Sequence, residues 1–365
     1  MEVQYDSKEN IDAIRELWQE AFHDPEAFAE YYFEQVFPEN QVLVAKEKDG
    51  IRSMLHLNPY VWNWGIKAVE GQKVLTQPVE QGSQQIFSHY IVGVATREDC
   101  RRQGYMARCL TKALQDMEGN GEPFTYLMPA NPDYYKPFQF VEWKKEQRWE
   151  WKAWREKRTK WQYSIYPARS KVYMERLQEE VACEKGDIIK GKNDIYAAYV
   201  LDASENQQKI LIQQIFFGDN AKEVELEAQE AFLQQIEKEL VERYGDIPIE
   251  IMESQPMMLR ILNLEKFIPL LPYQGREQQL TVRVKDEICK SNEGLVQITL
   301  SEKGCSVNKE KDIENWLKAG KDAEVEQIAD CVSDSQVQPW SIEVLTEYLL
   351  KETKLADMVY LMEIV

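Results

Sequence analysis

The sequence predicts an α/β protein whose last third turns to α+β, and three observations carry that prediction. The chain has 365 residues, too long for one ordinary core and suited to two or three domains of about 100 to 150 residues. Over roughly the first 145 residues, strand-forming runs alternate with helical stripes in the order β-α-α-β-β-β-α-β. Part of that order then repeats, and from about Leu259 strands come first and helices after.

In chain order, a short opening strand precedes Ile11, Ile14, Leu17, Trp18, Ala21 and Phe22 at helical spacing, and Pro25 starts a second helix through Phe37. Gln41 to Lys46, Ile51 to Trp62 and Ile86 to Thr96 are rich in β-branched and aromatic residues. Asp49-Gly50 and Gly82-Ser83 separate them, so they predict hairpin-paired strands. Met106, Cys109, Leu110, Ala113, Leu114 and Met117 form one helical stripe, which Gly119-Asn120-Gly121 ends before the apolar strand Phe124 to Met128. The partial repeat comprises a helix Lys171 to Ala182, strands Ile195 to Leu201 and Lys209 to Phe217, a helix Glu223 to Tyr244 and a strand Ile247 to Met252. Strands Leu280 to Lys285 and Leu295 to Leu300 follow, then helices near Ile313 to Ala319 and Ile342 to Lys351. No Pro/Ser-rich linker intervenes, so three closely packed domains are expected, over 1–145, 146–258 and 259–365.

Composition narrows the functional classes. Hydrophobic residues at 44% and charged residues at 29% argue against disorder and against a fibrous repeat. The opening MEVQYDSKEN lacks a signal-peptide pattern and no apolar run reaches the ~20 residues of a membrane span, so a cytoplasmic protein with no membrane contact is expected. The six cysteines, at 100, 109, 183, 289, 305 and 331, form no CxxC pair, and with three histidines they provide no zinc-type spacing. Free thiols and no metal are expected. A formal net charge of -19 repels polyphosphate backbones, so nucleic acid is excluded as a general partner and cationic small molecules are favoured. Lys144 to Lys160 runs against this trend, with eight Lys/Arg against three Glu, and Trp143, Trp149, Trp151, Trp154 and Trp161 lie in or beside it. It reads as a strand with one buried aromatic face followed by a solvated linker, in preference to a stacking surface.

The segment that carries chemistry is Ser88 to Ala107, SHYIVGVATREDCRRQGYMA, an apolar strand running through a charged turn into an amphipathic helix. Amides at the start of such a helix, and the positive end of its dipole, favour an anion. Gly104 lets backbone approach phosphate oxygens, and Arg101 and Arg102 add positive charge.

RRQGYMA after VATRED resembles the acetyl-CoA loop of GNAT acetyltransferases, Q/R-x-x-G-x-G/A, with Arg101 and Gly104 at the matching positions. Met106 departs from the usual Gly/Ala, and RRxGYM after a VAT strand resembles the variant of the Eis-like (enhanced intracellular survival) branch. That resemblance covers essentially the whole chain. It implies a catalytic GNAT domain, a degenerate GNAT-like second domain and a C-terminal sterol-carrier-protein-like α+β domain, whose opening LRILNLEKFI at Leu259 resembles.

The resemblance also implies a site. Val92, Val94 and Ala95 lie on the strand whose backbone, in the family, pairs with the pantetheine arm. Arg101, Arg102, Gln103, Gly104, Tyr105 and Met106 surround the pyrophosphate. The middle domain has no R-x-x-G turn, and FFGDNAKEVE puts acidic residues in its place, so one cofactor per chain is expected. In NPDYYKPFQF, Tyr135 matches the family tyrosine that protonates the coenzyme A sulfur, and a phenol with its ordinary pKa of about 10 keeps that proton at neutral pH. On the residues alone, Tyr134 and Tyr135 equally suit packing under the loop.

The ending MVYLMEIV is apolar to its last residue and implies burial. In the family the terminal carboxylate serves as base, so the Val365 carboxylate is the matching candidate; burial for packing alone is the alternative. Spacing selects none of His23, His56 and His89 as base. The expected function is acetyl transfer from acetyl-CoA to an amine, either a small cationic, aminoglycoside- or polyamine-like substrate or a lysine side chain. Hexamers occur in the family, so a homo-oligomer is compatible. The rival reading is a non-catalytic scaffold that binds an apolar ligand in its last domain.

Overall fold

The computed structural model describes residues 2–6, 8–65, 84–157, 165–202, 208–218, 226–309 and 339–362. The first sheet begins with β1 (Glu2–Asp6), after which α1 (Ile11–Phe22) buries Ile14, Leu17 and Trp18. The expected second helix is shorter than the sequence suggested. α2 (Glu26–Tyr31) gives way to a π turn Tyr32–Val36 and a 3-10 turn Phe37–Glu39 containing Pro38, which withholds an amide from a continuing helix. β2 (Gln41–Glu47), β3 (Gly50–Trp64) and β4 (Gln84–Thr96) then pair antiparallel in order. α3 (Tyr105–Gly119) buries Cys109, Leu110, Ala113, Leu114 and Met117, the stripe read from the sequence, and β5 (Phe124–Leu127) follows parallel to β4. β6 (Val141–Lys144) completes this stretch of chain.

The segment after β6 differs from the expected linker. β7 (Gln147–Glu150) leads into the helix α4 (Trp151–Lys157), which buries Trp151 and Trp154 with their rings stacked at 5.4 Å. Trp149 donates to Glu253 at 2.6 Å and Arg155 to Glu237 at 2.7 Å. Trp149, Trp151 and Trp154 are therefore core and cap rather than a stacking surface, and burying two indoles outweighs the one basic residue, Lys152, between them; Trp161 lies outside the described residues.

β8 (Ile165–Pro167) pairs with the far end of β3, and α5 (Lys171–Cys183) starts at Ser170, whose hydroxyl accepts from the Tyr173 amide. β9 (Asp187–Lys190), β10 (Ile195–Asp202), β11 (Lys209–Phe217), α6 (Leu226–Tyr244) and β12 (Ile249–Ser254) build a second sheet in the order β7-β12-β11-β10-β9. Here β11, α6 and β12 repeat the antiparallel strand, helix and parallel strand of β4, α3 and β5. The turn before α6 lies outside the described residues.

The chain then returns to the first sheet. β13 (Met257–Ile261) inserts between β5 and β6, antiparallel to both, so the expected division at 258/259 falls inside a strand. All five of its residues are buried, including Arg260. Arg260 donates to Asp286 at 2.6 Å with both side chains fully buried, to the Phe138 carbonyl at 3.0 Å and to Gln139 at 3.2 Å. After α7 (Leu264–Phe267), β14 (Gln278–Lys285), β15 (Gly294–Leu300), β16 (Ser306–Lys309) and β17 (Trp340–Ser341) form a third sheet, with α8 (Ile342–Thr353) and α9 (Leu355–Met358) behind them. Val282, Val296, Ile298, Leu345 and Leu349 belong to the same apolar cluster as the first sheet. The helix expected near Ile313 to Ala319 lies outside the described residues.

Candidate functional site

The first sheet forks. β4 and β5 pair at one register position, Tyr90 with Tyr126, where the two rings stack at 4.9 Å. From Ile91 to Thr96, β4 has β3 on one side and, among the described residues, no strand on the other. This stretch contains Val92, Val94 and Ala95. It also contains a bulge, because the register shifts between Met54 and His56 and leaves two β4 residues opposite Leu55. Gly93 occupies the bulge at φ +59°, and a Cβ there would lie 2.7 Å from the Trp18 ring and 3.1 Å from His56 Nδ1. Only glycine fits both the conformation and the space. Gly93 was not singled out from the sequence, although an isolated glycine within a strand pattern is a bulge signal.

Beyond the fork, the backbone turns at Arg97 to Gly104 into α3. Arg101, Arg102, Gln103 and Gly104 are all exposed, and Tyr105 and Met106 are half-buried in the first turn of the helix. Arg102 and Gly104 take left-handed conformations, at φ +62° and +84°. No side chain caps the N-terminus of α3 and no acidic residue stands in its first turn, so its leading amides face an open surface. A Cβ at Gly104 would meet nothing within 4 Å, so the space above the turn is empty of protein. Among the described residues the Arg101 and Arg102 guanidinium groups make no ion pair, whereas Arg97 is engaged by Glu20 at 2.8 Å and Glu16 at 3.1 Å. An exposed positive turn, uncapped amides and a helix dipole suit a phosphate group.

Tyr135 sits between two short 3-10 turns, Pro132–Tyr134 and Lys136–Phe138, the first capped by Asn131 accepting from the Asp133 amide. It is 6% exposed and packs against Phe140, whereas Tyr134 is 58% exposed. Burial, and secondarily the nearby Tyr134, push the Tyr135 phenol up to about 12. Its hydroxyl makes no hydrogen bond among the described residues and remains available as a donor.

On the other edge of β3, β2 pairs as far as Leu57 and β8 begins at Trp62, so Asn58 to Val61 has no strand neighbour there among the described residues. A cleft of about 470 Å³ opens at this gap, between α2 and α5, and Met362 reaches its wall. Tyr60 connects cleft to fork, its ring 6.1 Å from Tyr90 and 6.2 Å from Tyr126. Nothing in the sequence marked this cleft, because its lining comes from segments more than a hundred residues apart. Val365, the sequence candidate for a base, lies outside the described residues.

The histidines divide by environment. His56 is fully buried, shares a 2.6 Å hydrogen bond with the Tyr32 hydroxyl, and is pushed by burial down to about 3, so it is neutral at pH 7. His89 is held by Glu122 at 2.8 Å, both side chains buried. His23 ends α1 in a left-handed conformation. Among the described residues no group of three or more His, Cys, Asp or Glu could hold a metal ion, and no helix is long and apolar enough to cross a membrane.

The sequence profile described as acetyltransferase (GNAT) domain matches residues 2–142, the segment containing fork, turn and Tyr135. No curated sequence matches the chain. Among solved structures, a GCN5-related N-acetyltransferase from Anabaena variabilis aligns with a TM-score of 0.63 at 15% identity, over 84% of this chain and 85% of the other. A GCN5-related N-acetyltransferase from Kribbella flavida aligns at 0.60 and 11%, over 84% and 83%. Eis1 from Mycobacterium abscessus aligns at 0.58 and 12%, over 85% of both chains. At these identities the likeness establishes a shared fold across most of the molecule.

Proposed function

We infer, from the premise that this chain is an acyl-CoA-dependent acetyltransferase with a GNAT domain over residues 2–142, that acetyl-CoA is its donor and an amine its acceptor. The observation that carries this reading is the juxtaposition, in one strand-turn-helix, of an unpaired β4 edge and an uncapped α3 terminus. The amides of Arg101 to Met106 and the two free-standing guanidinium groups hold the pyrophosphate. The β4 backbone from Val92 to Ala95 pairs with the pantetheine amides as an added strand would. An assay of coenzyme A release over a panel of amines tests the reading, and no turnover on any amine would overturn it.

In the reaction the amine nitrogen attacks the thioester carbonyl carbon, an N–C bond forms and the C–S bond breaks. Starting from an ammonium ion, one proton goes to the departing sulfur and one is released. Tyr135 supplies the first, since its raised pKa keeps the phenol protonated well above neutral pH. For the second, the proposed base is the Val365 carboxylate, a reading supported by Met362, three residues earlier, lining the cleft. The fold shared with Eis1 over 85% of both chains supports the Eis-like reading, with the third sheet as the sterol-carrier-like part. That sheet packs its apolar face into the first core, which favours bracing over carrying an apolar ligand.

Two substitutions probe donor and base. Gly104→Val places a β-branched residue at φ +84° and fills the empty space above the turn, so acetyl-CoA affinity is expected to fall at least tenfold, about 1.4 kcal/mol. Unchanged calorimetric affinity in the folded variant removes this turn from the site. Adding several residues after Val365 replaces its carboxylate with an amide, and turnover is expected to drop about tenfold or more while acetyl-CoA binding persists. Native turnover in the extended protein places the base elsewhere.

A further inference from the structure

The second sheet repeats the fork of the first. β11 pairs with β12 from Ile210 to Ile212, and from Gln213 to Phe217 it has β10 on one side and, among the described residues, no strand on the other. It repeats the bulge as well, because the register shifts between Ala198 and Tyr199 and leaves Gln213 without an opposite residue. Where the matching edge of β4 faces the proposed pantetheine arm, this edge meets the chain itself. The Tyr360 hydroxyl accepts from the Ile215 amide at 3.0 Å.

Segment 359–362 leaves α9 in an extended conformation at Val359 and is two-faced. Val359 bridges Ile165 of β8, and the Tyr360 amide donates to the Ile165 carbonyl at 2.9 Å. Val359 and Leu361 belong to the apolar cluster of the first sheet, whereas Tyr360 and Met362 join Leu177, Val181 and Phe216 on the second, the alternation of a strand. The cavity left in the second fork, between Tyr360, Phe216 and Met252, is about 40 Å³. That is room for a water or two and far below the roughly 300 Å³ at which small-molecule pockets begin. The fork is thus filled from within.

We propose that the second fork anchors segment 359–362, and that Tyr360 is a positioning residue for the acceptor, fixing Met362 in the wall of the cleft beside β3. This rests on the acetyltransferase reading above and goes beyond it in giving the second sheet a part in the reaction. Tyr60 lines that cleft and stands 6.1 Å from Tyr90 and 6.2 Å from Tyr126, where β4 and β5 part, so an amine in the cleft lies beside the donor. Residues two apart on a strand share a face about 6.6 Å from each other, so an anchor at Tyr360 leaves Met362 little slack.

Amide hydrogen exchange and kinetics of Tyr360→Phe and Tyr360→Ala test this, with Leu233→Ala, in the other apolar cluster of the second sheet, as control. Tyr360→Phe removes the acceptor of the Ile215 amide, whose exchange is expected to quicken about tenfold or more. With the fastest acceptor among phenethylamine, spermine and kanamycin, Tyr360→Ala is expected to raise KM about tenfold and Tyr360→Phe about threefold, with acetyl-CoA affinity unchanged in both. Leu233→Ala is expected to lower the denaturation midpoint and leave KM native. Native exchange at Ile215 in Tyr360→Phe, or a KM in the Tyr360 variants no higher than in Leu233→Ala, overturns the proposal while the acetyltransferase reading stands. Acetyl-CoA binding with no amine turned over overturns both.

Discussion

Tyr135→Phe is expected to slow coenzyme A release by about a hundredfold or more, with acetyl-CoA affinity little changed. The substitution removes one hydroxyl and keeps the ring against Phe140, so packing beneath the 3-10 turns survives. On the proposed mechanism, what is lost is the proton for the departing thiolate. Because burial pushes this phenol up to about 12, the native group holds its proton across neutral and mildly alkaline pH, and its own ionisation does not limit the rate there. Tyr134→Phe is the control, since that side chain is 58% exposed and is expected to leave the rate near native. A Tyr135→Phe protein with native turnover removes this residue from the chemistry.

Arg260→Met is expected to destabilise the protein by about 3 to 5 kcal/mol, read as a lower midpoint of chemical denaturation. The guanidinium is fully buried, and without it the Asp286 carboxylate stays buried with only neutral donors, Asn292 at 3.0 Å and the Cys289 and Ile288 amides at 2.9 and 3.1 Å. The Phe138 carbonyl also loses a donor, which loosens the turn behind Tyr135. Lys285→Met removes an exposed partner of Glu287 and is expected to stay within about 0.5 kcal/mol. A loss below about 1 kcal/mol for Arg260→Met contradicts this account of the pair.

The legible parts of the molecule were those where local pattern and packing agree. The α3 stripe, β11 from Lys209 to Phe217 and the turn at Arg101 to Gly104 stand where periodicity and glycine placed them. Trp151 and Trp154 misled because they form a two-residue apolar stripe too short to register as a helix, set in a sequence dominated by basic residues. Met257 to Ile261 misled differently: MMLRI reads as an ordinary apolar strand, and strand identity says nothing about which sheet receives it. The strand-turn-helix from Ile91 to Met106 is contiguous in sequence and therefore readable. The cleft beside β3 draws on α2, β3, α5 and Met362, so it exists only after long-range packing.

The insertion of β13 between β5 and β6 also sets an order of assembly. These two strands have no direct bond to each other in the sheet and are joined through a segment more than a hundred residues downstream. A nascent chain that has emerged only through β6 holds two adjacent unsatisfied backbone edges, each a template for a foreign strand. The first sheet thus closes late, after the second sheet's sequence has been made, and its folding rate is tied to a contact of high sequence separation. A fragment cut after β6 inherits that open seam permanently, which makes self-association through the β5 edge its natural failure.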